Sequence, residues 1–551
     1  MHIGNARIEM TRQLAEDSLV YRLNDCSFYV TNLSVGWKSG VGGFSNVRYD
    51  RIGFRFGQFD NLLWGGNYRL SIQKGEYWDP KKGIQLQNVR LVPQEKLKNR
   101  HKTVIQFSFP SIKIGGFESL VGGLFQKNWV LDSVYLESPV TEFYYGKGDP
   151  LQLFSLDSVG LYVKDLQGDD SSRSYRWSDI GGSLCNVSFP LDKGFYTLSV
   201  GRVEFSESMA QIKRIRLLSR YPKMEFAYKQ PKHQDWFDLQ VGEVSLVGVD
   251  YLSYLRDSIL RIKEVQIEDI VLQNFKNQQI PVPRRVVPMI YSGLQKAPMK
   301  IDFQKVGVKN LMIVYEELAK NGTVPGKLYF TDMKGTFSEF TNIVSRPEQF
   351  ITLNTTGKLM GEGTFRATWL LPVDSLNDRF SLNIQLDSFN LKAMNELLIP
   401  LASAEVQSGL VQSMKMSTDA SSKEARVDML FLYTDLKVSF LKEKKGELQD
   451  KKLLSTLANR VLKQDNPERT KKGEKQARRS SLSVVRDPYH STFNYLWQII
   501  KPPLVETIGV SQKTQEIVPK TKSLMEKIKN IFRGKKNKNK EISLSIEEAQ
   551  E

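Results

Sequence analysis

Histidine is the residue best suited to acid–base or metal chemistry at neutral pH, and the four in this sequence are widely separated: His2, His101, His233 and His490. None falls in a spacing such as HExxH, which places two ligands on one helical face. The sequence contains no GxSxG, no GxGxxG after a predicted strand and no Walker A motif. We therefore expect a protein that is not an enzyme and that holds neither a metal nor another cofactor.

Two groups of carboxylates lie close together in the sequence, but their spacing argues against a shared role. Glu316 and Glu317 are neighbours on a predicted strand, where successive side chains point to opposite faces. Asp165, Asp169 and Asp170 could suggest calcium, yet the remaining oxygen ligands of a calcium loop are missing. We interpret the three aspartates as part of a solvated loop, and the two glutamates as unable to share one substrate. An enzyme acting on carbohydrate, which needs an acid pair, is accordingly the least favoured alternative.

The cysteines and the charge distribution limit the classes of protein further. Cys26 and Cys185 are too few for a disulfide framework and lack the spacing of a zinc site. A single disulfide between them is compatible with the sequence but is not favoured. The net charge is +17, and residues 441–540 carry 25 lysines and arginines against 10 acidic residues. A basic C-terminal region of this kind favours phosphate groups as partners. Nucleic acid is not expected, because aromatics do not interleave with the basic segments.

Alternating apolar and polar residues predict a long series of β-strands from Cys26 to Leu386. The breaks between strands are short and carry Gly, Pro, Ser, Lys or Asp, which favours an antiparallel meander. Three blocks recur in the same order at an offset of roughly 130 residues, which indicates a tandem repeat. The matching blocks are 68–77 with 196–205, 87–91 with 213–217, and 134–140 with 265–271.

The predicted fold is mainly β: a long antiparallel, repeat-containing curved sheet that forms an apolar groove, with short helices and a helical, basic C-terminal region. One apolar side of so many strands cannot face water. The sheet could close as sandwiches, wind into a solenoid or curl into a trough. The predicted organisation is a lead-in at 1–25, β repeat modules at 26–158 and 159–279, a β module with one helix at 280–440, and a basic, helical, partly disordered tail at 441–551.

Several local elements are predicted from the same patterns. We expect helices over 11–19 and 391–401 and a strand over 224–228. We also expect a disordered or hinge segment over 463–481, and an apolar turn or helix over 493–500 that is interrupted by Pro502 and Pro503. The first ten residues are too polar for a signal peptide, and no run of about 18 apolar residues could span a bilayer. We expect the chain to begin inside a longer gene product.

The C-terminal basic segment carries an amphipathic pattern. Its apolar residues fall on one helical face with basic residues beside them, which is typical of a helix at an anionic membrane surface or of one packed on the protein. The membrane-surface candidates are Trp497, Leu524, Lys527, Ile528, Lys529, Ile531, Phe532 and Arg533.

The segment from Phe389 to Gly409, with Asn395-Glu-Leu397-Leu-Ile-Pro400-Leu, resembles the C-terminal region of the AsmA-like family. The blocks 314–319 and 486–509 are similar to the Bacteroidetes branch of that family, which is related to bridge-like lipid-transfer proteins. The resemblance covers residues 190 to 510. It implies an envelope protein of a diderm bacterium, located in the periplasm and associated with the inner membrane. Relatives carry an N-terminal anchor, which this chain lacks.

The resemblance also implies a function: an apolar β-groove that binds phospholipid or transfers it passively between membranes, with a role in outer-membrane biogenesis. Phe380, Leu382, Ile384 and Leu386 are candidates for one groove face, although such residues are more often ordinary core. The alternative is a structural or assembly protein of the envelope, with closed β-sandwich modules and a basic tail that binds a protein partner.

Overall fold

A computed structural model describes residues 2–13, 18–38, 43–63, 66–78, 83–95, 104–115, 128–139, 141–146, 152–169, 174–229, 234–281, 286–373, 378–444, 447–452, 455–456, 459, 462–469 and 473–509 of the chain. The protein is mainly β, as predicted. Contacts divide the chain into two units. The first contains Met1–Arg220 with Leu239–Ile267, and the second contains Tyr221–Asp238 with Glu268–Glu551.

The strands of the first half are β1 (His2–Gln13), β2 (Ser18–Thr31), β3 (Ser34–Lys38), β4 (Gly43–Arg48), β5 (Arg51–Phe56), β6 (Gln58–Leu63), β7 (Tyr68–Ile72), β8 (Lys74–Trp78), β9 (Gly83–Pro93), β10 (Val104–Gly115), β11 (Asn128–Ser138), β12 (Thr141–Gly146), β13 (Gln152–Leu156), β14 (Ser158–Asp169), β15 (Ser174–Arg176), β16 (Asp179–Leu191), β17 (Tyr196–Phe205), β18 (Met209–Ser219), β19 (Trp236–Asp250) and β20 (Ile259–Asn277). The later strands are β21 (Lys300–Leu318), β22 (Gly326–Thr341), β23 (Phe350–Leu359), β24 (Gly363–Pro372), β25 (Phe380–Leu386), β26 (Phe389–Asn390), β27 (Ala404–Ala420), β28 (Glu424–Lys444), β29 (Glu447–Asp450), β30 (Glu468–Arg469), β31 (Lys475–Gln476) and β32 (Arg479–Val485).

The α-helices are α1 (Lys223–Lys229), α2 (Tyr251–Asp257), α3 (Ile290–Gln295), α4 (Asn395–Ala402) and α5 (Thr492–Thr507), and short 3₁₀ turns cover Asp192–Gly194 and Leu391–Met394. The predicted helix near 391–401 is therefore confirmed.

In the first unit, each long strand pairs antiparallel with the next one along the chain. β5 and β6 lie end to end beside β2, and β7 and β8 lie end to end beside β9, so each of these pairs is one strand with a break. The meander continues through β10, the β11 to β14 segments, β16, β17, β18 and β19. Short connections between sequential strands favour this arrangement.

The repeated sequence blocks fall on corresponding strands of this meander. The first pair of blocks lies on β7–β8 and β17, the second on β9 and β18, and the third begins on β11 and β20. Asn88 and Arg214 take equivalent places in the second pair of blocks. Both have a positive φ, 50° for Asn88 and 55° for Arg214. The structure is thus consistent with the predicted repeat.

A break in the ladder crosses the first unit at matching positions of paired strands. Asp25 lies opposite Gly57, Asn88 opposite Pro110, Asp157 opposite Asn186, and Arg214 opposite both Gly201 and Gly242. We call these nine residues the seam. Asp25, Asn88, Asn186 and Arg214 have positive φ, a conformation that Asn, Asp and Gly tolerate best, and proline fits because the ladder needs no donor there.

In the second unit, β21 to β25 and then β27, β28 and β32 pair antiparallel in sequence. Its main hydrophobic core lies where β25, β27 and β28 meet α5, and includes Phe380, Val427, Tyr433, Tyr495 and Ile499. A smaller core joins Tyr291 of α3 to Ile351 and Val373. The first unit has a core of its own around Cys26, Phe56 and Val89.

Four local predictions are wrong. Residues 1–25 are not a separate lead-in with a helix at 11–19, because β1 and β2 pair there as a hairpin. Residues 224–228 form part of α1, since Phe226 and Ala227 are adjacent and both buried, which suits a helix better than an alternating strand. Residues 463–481 contain β30, β31, the beginning of β32 and the fully buried Asn466. Pro502 and Pro503 do not end α5, which continues to Thr507.

Candidate functional site

A partly exposed apolar surface of the first unit lies on β16 to β19. Four rows of apolar residues run across these strands in register, with glycine at one place. From one end to the other the rows are Phe189, Leu198, Leu217 and Leu239; Val187, Val200, Ile215 and Val241; Leu184, Val203, Ile212 and Val244; and Gly182, Phe205, Ala210 and Leu246. We call these sixteen residues the apolar rows.

Polar residues form their own rows between the apolar ones. They are Ser188, Ser199, Arg216 and Gln240; Cys185, Arg202, Lys213 and Glu243; and Ser183, Glu204, Gln211 and Ser245. Salt bridges join Arg202 to Glu204 at 2.6 Å and Lys213 to Glu243 at 3.8 Å. Since side chains alternate between the two sides of a strand, one face of this sheet is apolar and the other is charged and hydrogen-bonded.

Left-handed residues at the seam of β16 and β18 interrupt the alternation between the apolar rows on its two sides. Leu184 and Val187 are three residues apart, which plain alternation would place on opposite faces. Asn186 lies between them with a φ of 48°, and a left-handed residue of this kind interrupts the alternation. Arg214 does the same between Ile212 and Ile215 on β18, with a φ of 55°.

The apolar rows are neither buried nor fully exposed. Of the sixteen residues only Val241 and Ala210 are buried, and the other fourteen are half-buried. Within the part of the chain that the structure describes, no element therefore covers the rows completely. Phe205, at one end, meets the ring of Tyr251 of α2 edge to face, with centroids 6.5 Å apart. With strands about 4.8 Å apart, the four rows extend roughly 14 Å across the sheet.

The four residues predicted for a groove face lie elsewhere, in the core of the second unit. Phe380, Leu382 and Leu386 are buried, at 3%, 4% and 7% exposure, and Ile384 packs against them. Helix α5 covers this position, because Tyr495 contacts Phe380 there. These four residues are ordinary core residues, which is the alternative interpretation of their pattern. They do not form an open groove face.

One of them, Leu382, belongs to a largely apolar row that extends beyond the core. The row crosses seven strands of the second unit through Phe337, Leu353, Trp369, Leu382, Thr418, Val427 and Leu482. Leu382, Thr418 and Val427 are buried, whereas Leu353 and Trp369 are half-buried. The burial of the row therefore decreases from β25 to β24.

The groups considered for chemistry are separated in the structure. Glu316 is paired with Lys223, and Glu317 accepts hydrogen bonds from Gln278 and, at 2.6 Å, from the hydroxyl of Tyr315. Burial, and then the charge of Glu317, raises the pKa of Tyr315 above its ordinary value. The two acids serve different partners, as the strand alternation predicted.

The remaining candidates are also dispersed. His490 lies 3.2 Å from Asp487 and His2 is exposed, while His101, His233 and Asp170 lie outside the described residues. Cys26 and Cys185 are both free thiols, and burial raises the pKa of Cys26. In the described ranges, no three His, Cys, Asp or Glu side chains are close enough to hold a metal ion.

Of the predicted membrane-surface residues, the structure describes only Trp497. It lies on α5 and is 41% exposed, one turn from Phe493, which is 70% exposed. The other seven, from Leu524 to Arg533, lie outside the described residues. No helix in the portion described is long and apolar enough to cross a membrane.

The apolar rows were not predicted as a site, although the sequence carries a signal for them. Apolar residues recur three apart around a polar pair that contains Asn, Arg or Gly at the seam. The occurrences are 184–187, 200–203, 212–215 and 241–244. This three-residue spacing interrupts the two-residue period of a strand. A search for alternation alone therefore does not find the apolar rows.

The chain matches no protein-family model, and no curated protein shows significant sequence similarity to it.

Proposed function

We propose that this chain is a non-enzymatic, AsmA-like envelope protein of a diderm bacterium that binds phospholipid and transfers it passively between membranes. The apolar rows of β16 to β19 are the binding surface in this proposal, replacing the four residues around Phe380. The observation that carries it is the register of four apolar rows, half-buried, on a sheet whose other face is polar.

A lipid tail is the ligand that best fits such a surface. Acyl chains are apolar along their length and need no polar partners, and each CH₂ removed from water contributes about 0.8 kcal/mol. A phospholipid can lay its tails across the rows while its headgroup stays in water at the edge. Transfer then needs no chemical step, which accords with the dispersed acids and histidines of the described residues.

A second candidate function has an observation of its own. The core under α5 and the core around Cys26 both contain many buried apolar residues, as expected of packed modules in a structural or assembly protein of the envelope. In that case a protein partner, rather than lipid, would cover the apolar rows.

Native mass spectrometry of gently purified protein distinguishes the two. Stoichiometric phospholipid supports the proposed function, whereas lipid-free, monodisperse protein contradicts it and favours the assembly role.

Neighbouring residues of β17 provide matched variants. Val200 belongs to an apolar row and Ser199 to a polar row, so their side chains lie on opposite faces of one strand. We expect Val200→Glu to lose bound lipid and Ser199→Glu to keep it. Val200→Ser, which disturbs folding less, should reduce the bound lipid, with circular dichroism confirming that the fold is intact. Equal lipid content in folded variants would refute the assignment of the rows.

A further inference from the structure

A cluster of large apolar side chains is exposed at the beginning of α5 in the second unit. Two segments contribute to it, and together we call their residues the patch: Val286, Ile290, Tyr489, Phe493 and Trp497. Their exposed fractions are 62%, 44%, 42%, 70% and 41%. Surface residues of this size are normally scattered, and a contiguous group of them marks an interaction site.

Hydrogen bonds hold the two segments of the patch together. The Val287 amide donates to the Pro488 carbonyl at 2.9 Å, and the Ile290 amide donates to the Thr492 hydroxyl at 3.2 Å. The buried guanidinium of Arg486 donates to the Val287 carbonyl at 2.6 Å. The patch is therefore a fixed surface.

The composition of the patch and the charge that follows it in the chain indicate a membrane. Tyr489 and Trp497 have an apolar ring with a polar group, the combination enriched where bilayers meet water. Residues 511–540, directly after α5, contain ten lysines and arginines against two glutamates. Basic residues near an apolar anchor add electrostatic attraction to anionic lipid, which favours an anionic bilayer over a protein partner.

We propose that the patch docks on an anionic phospholipid bilayer. This docking does not rest on the proposed lipid-binding function, because it requires only the exposed patch and the basic segment that follows it in the chain.

Docking is tested by flotation of the full chain with vesicles of phosphatidylcholine that contain phosphatidylglycerol. Phe493→Glu with Trp497→Glu should lower the bound fraction by about tenfold, because two anchors leave the interface and two negative charges enter it. Val324→Glu is the matched control, since Val324 is 61% exposed in the turn between β21 and β22, outside the patch. Unchanged flotation of the double variant would overturn the docking.

Discussion

The ring of Phe380 on β25 lies edge-on to the ring of Tyr495 on α5, with the two centroids 6.3 Å apart. Trp369 of the neighbouring strand meets Phe380 from another side at 5.4 Å. Phe380 is therefore held between the sheet and the helix that covers it. This contact separates the closed part of the second unit's apolar face from the half-buried part that begins at Trp369.

Replacing Phe380 should affect stability rather than lipid binding. Phe380→Ala removes a buried ring under α5, and we expect a loss of about 3–5 kcal/mol in the free energy of unfolding. Phe380→Leu should cost less because more of the volume is kept. Denaturant titration and hydrogen exchange of α5 measure the effect. A loss of bound lipid from a Phe380→Leu protein of unchanged stability would contradict this assignment.

Backbone conformation at the seam gives a second prediction. Asn186 has a φ of 48°, and its side-chain amide donates to Asp157 at 2.7 Å. Left-handed backbone costs a β-branched residue about 1–2 kcal/mol, whereas glycine adopts it freely. Asn186→Val should therefore be less stable than Asn186→Gly by about that amount in thermal or urea unfolding. Ser188→Val, at an ordinary strand position, is the control and should change stability little.

The cap of α2 should depend on pH. The carboxylate of Asp250 accepts hydrogen bonds from the Ser253 hydroxyl and from the Ser253 amide at 2.9 Å, and these bonds lower the pKa of Asp250. A lowered folded-state pKa means that the stabilisation is present above the unfolded pKa of about 3.9 and is lost as pH falls through the folded value.

Asp250→Ala should accordingly reduce the protection of the Ser253 amide by about 1 kcal/mol at neutral pH, and the difference from wild type should shrink in acid. Hydrogen exchange at a series of pH values measures it. Asp250→Asn keeps a capping oxygen and should retain most of the protection. A difference that grows in acid would contradict the role of the carboxylate.

Asn466 gives a prediction for the cover of the second unit's core. Its fully buried side chain donates to the carbonyls of Phe431 and Arg478 and accepts from the Arg478 amide at 2.7 Å. Arg478 in turn donates to the carbonyl of Thr507, the last residue of α5, at 3.0 Å. Asn466 thereby connects β28 to the end of the covering helix.

Asn466→Ala leaves those buried groups without partners, which should cost about 2–3 kcal/mol and loosen the end of α5. Hydrogen exchange of residues 500–507 is the measurement, and Gln464→Ala, an exposed neighbour, is the control. Unchanged exchange in Asn466→Ala would mean that the connection does not stabilise the helix.

Much of the fold could be predicted because the strands alternate clearly and their connections are short. The antiparallel order and the helix near Leu397 follow from local pattern alone. The prediction failed where burial, and not sequence period, decides the local structure. Phe226 and Ala227 are adjacent and both buried, and they lie in a helix where a strand was expected. Pro502 and Pro503 stay within α5, whose buried residues Tyr495 and Ile499 pack it on the sheet, and such packing outweighs a local helix-breaking tendency.

The candidate site was harder to predict than the fold. Phe380 and Val200 both lie on alternating strands, and periodicity says only that one side of each is apolar. Whether that side is covered depends on a helix more than a hundred residues away in sequence, in the case of Phe380 and Tyr495. The rows on β16 to β19 became evident only once the register of four strands and the left-handed residues Asn186 and Arg214 were known.

The seam has a consequence for how such a chain could lengthen. Each break in one strand lies opposite a break in the paired strand. A duplicated hairpin would therefore carry both breaks with it, and the cross-section of the sheet would be unaltered. Growth by duplication of strand pairs would therefore extend the apolar face of the sheet without interrupting it. The two sets of repeated blocks near Asn88 and Arg214 are what such duplication would leave behind.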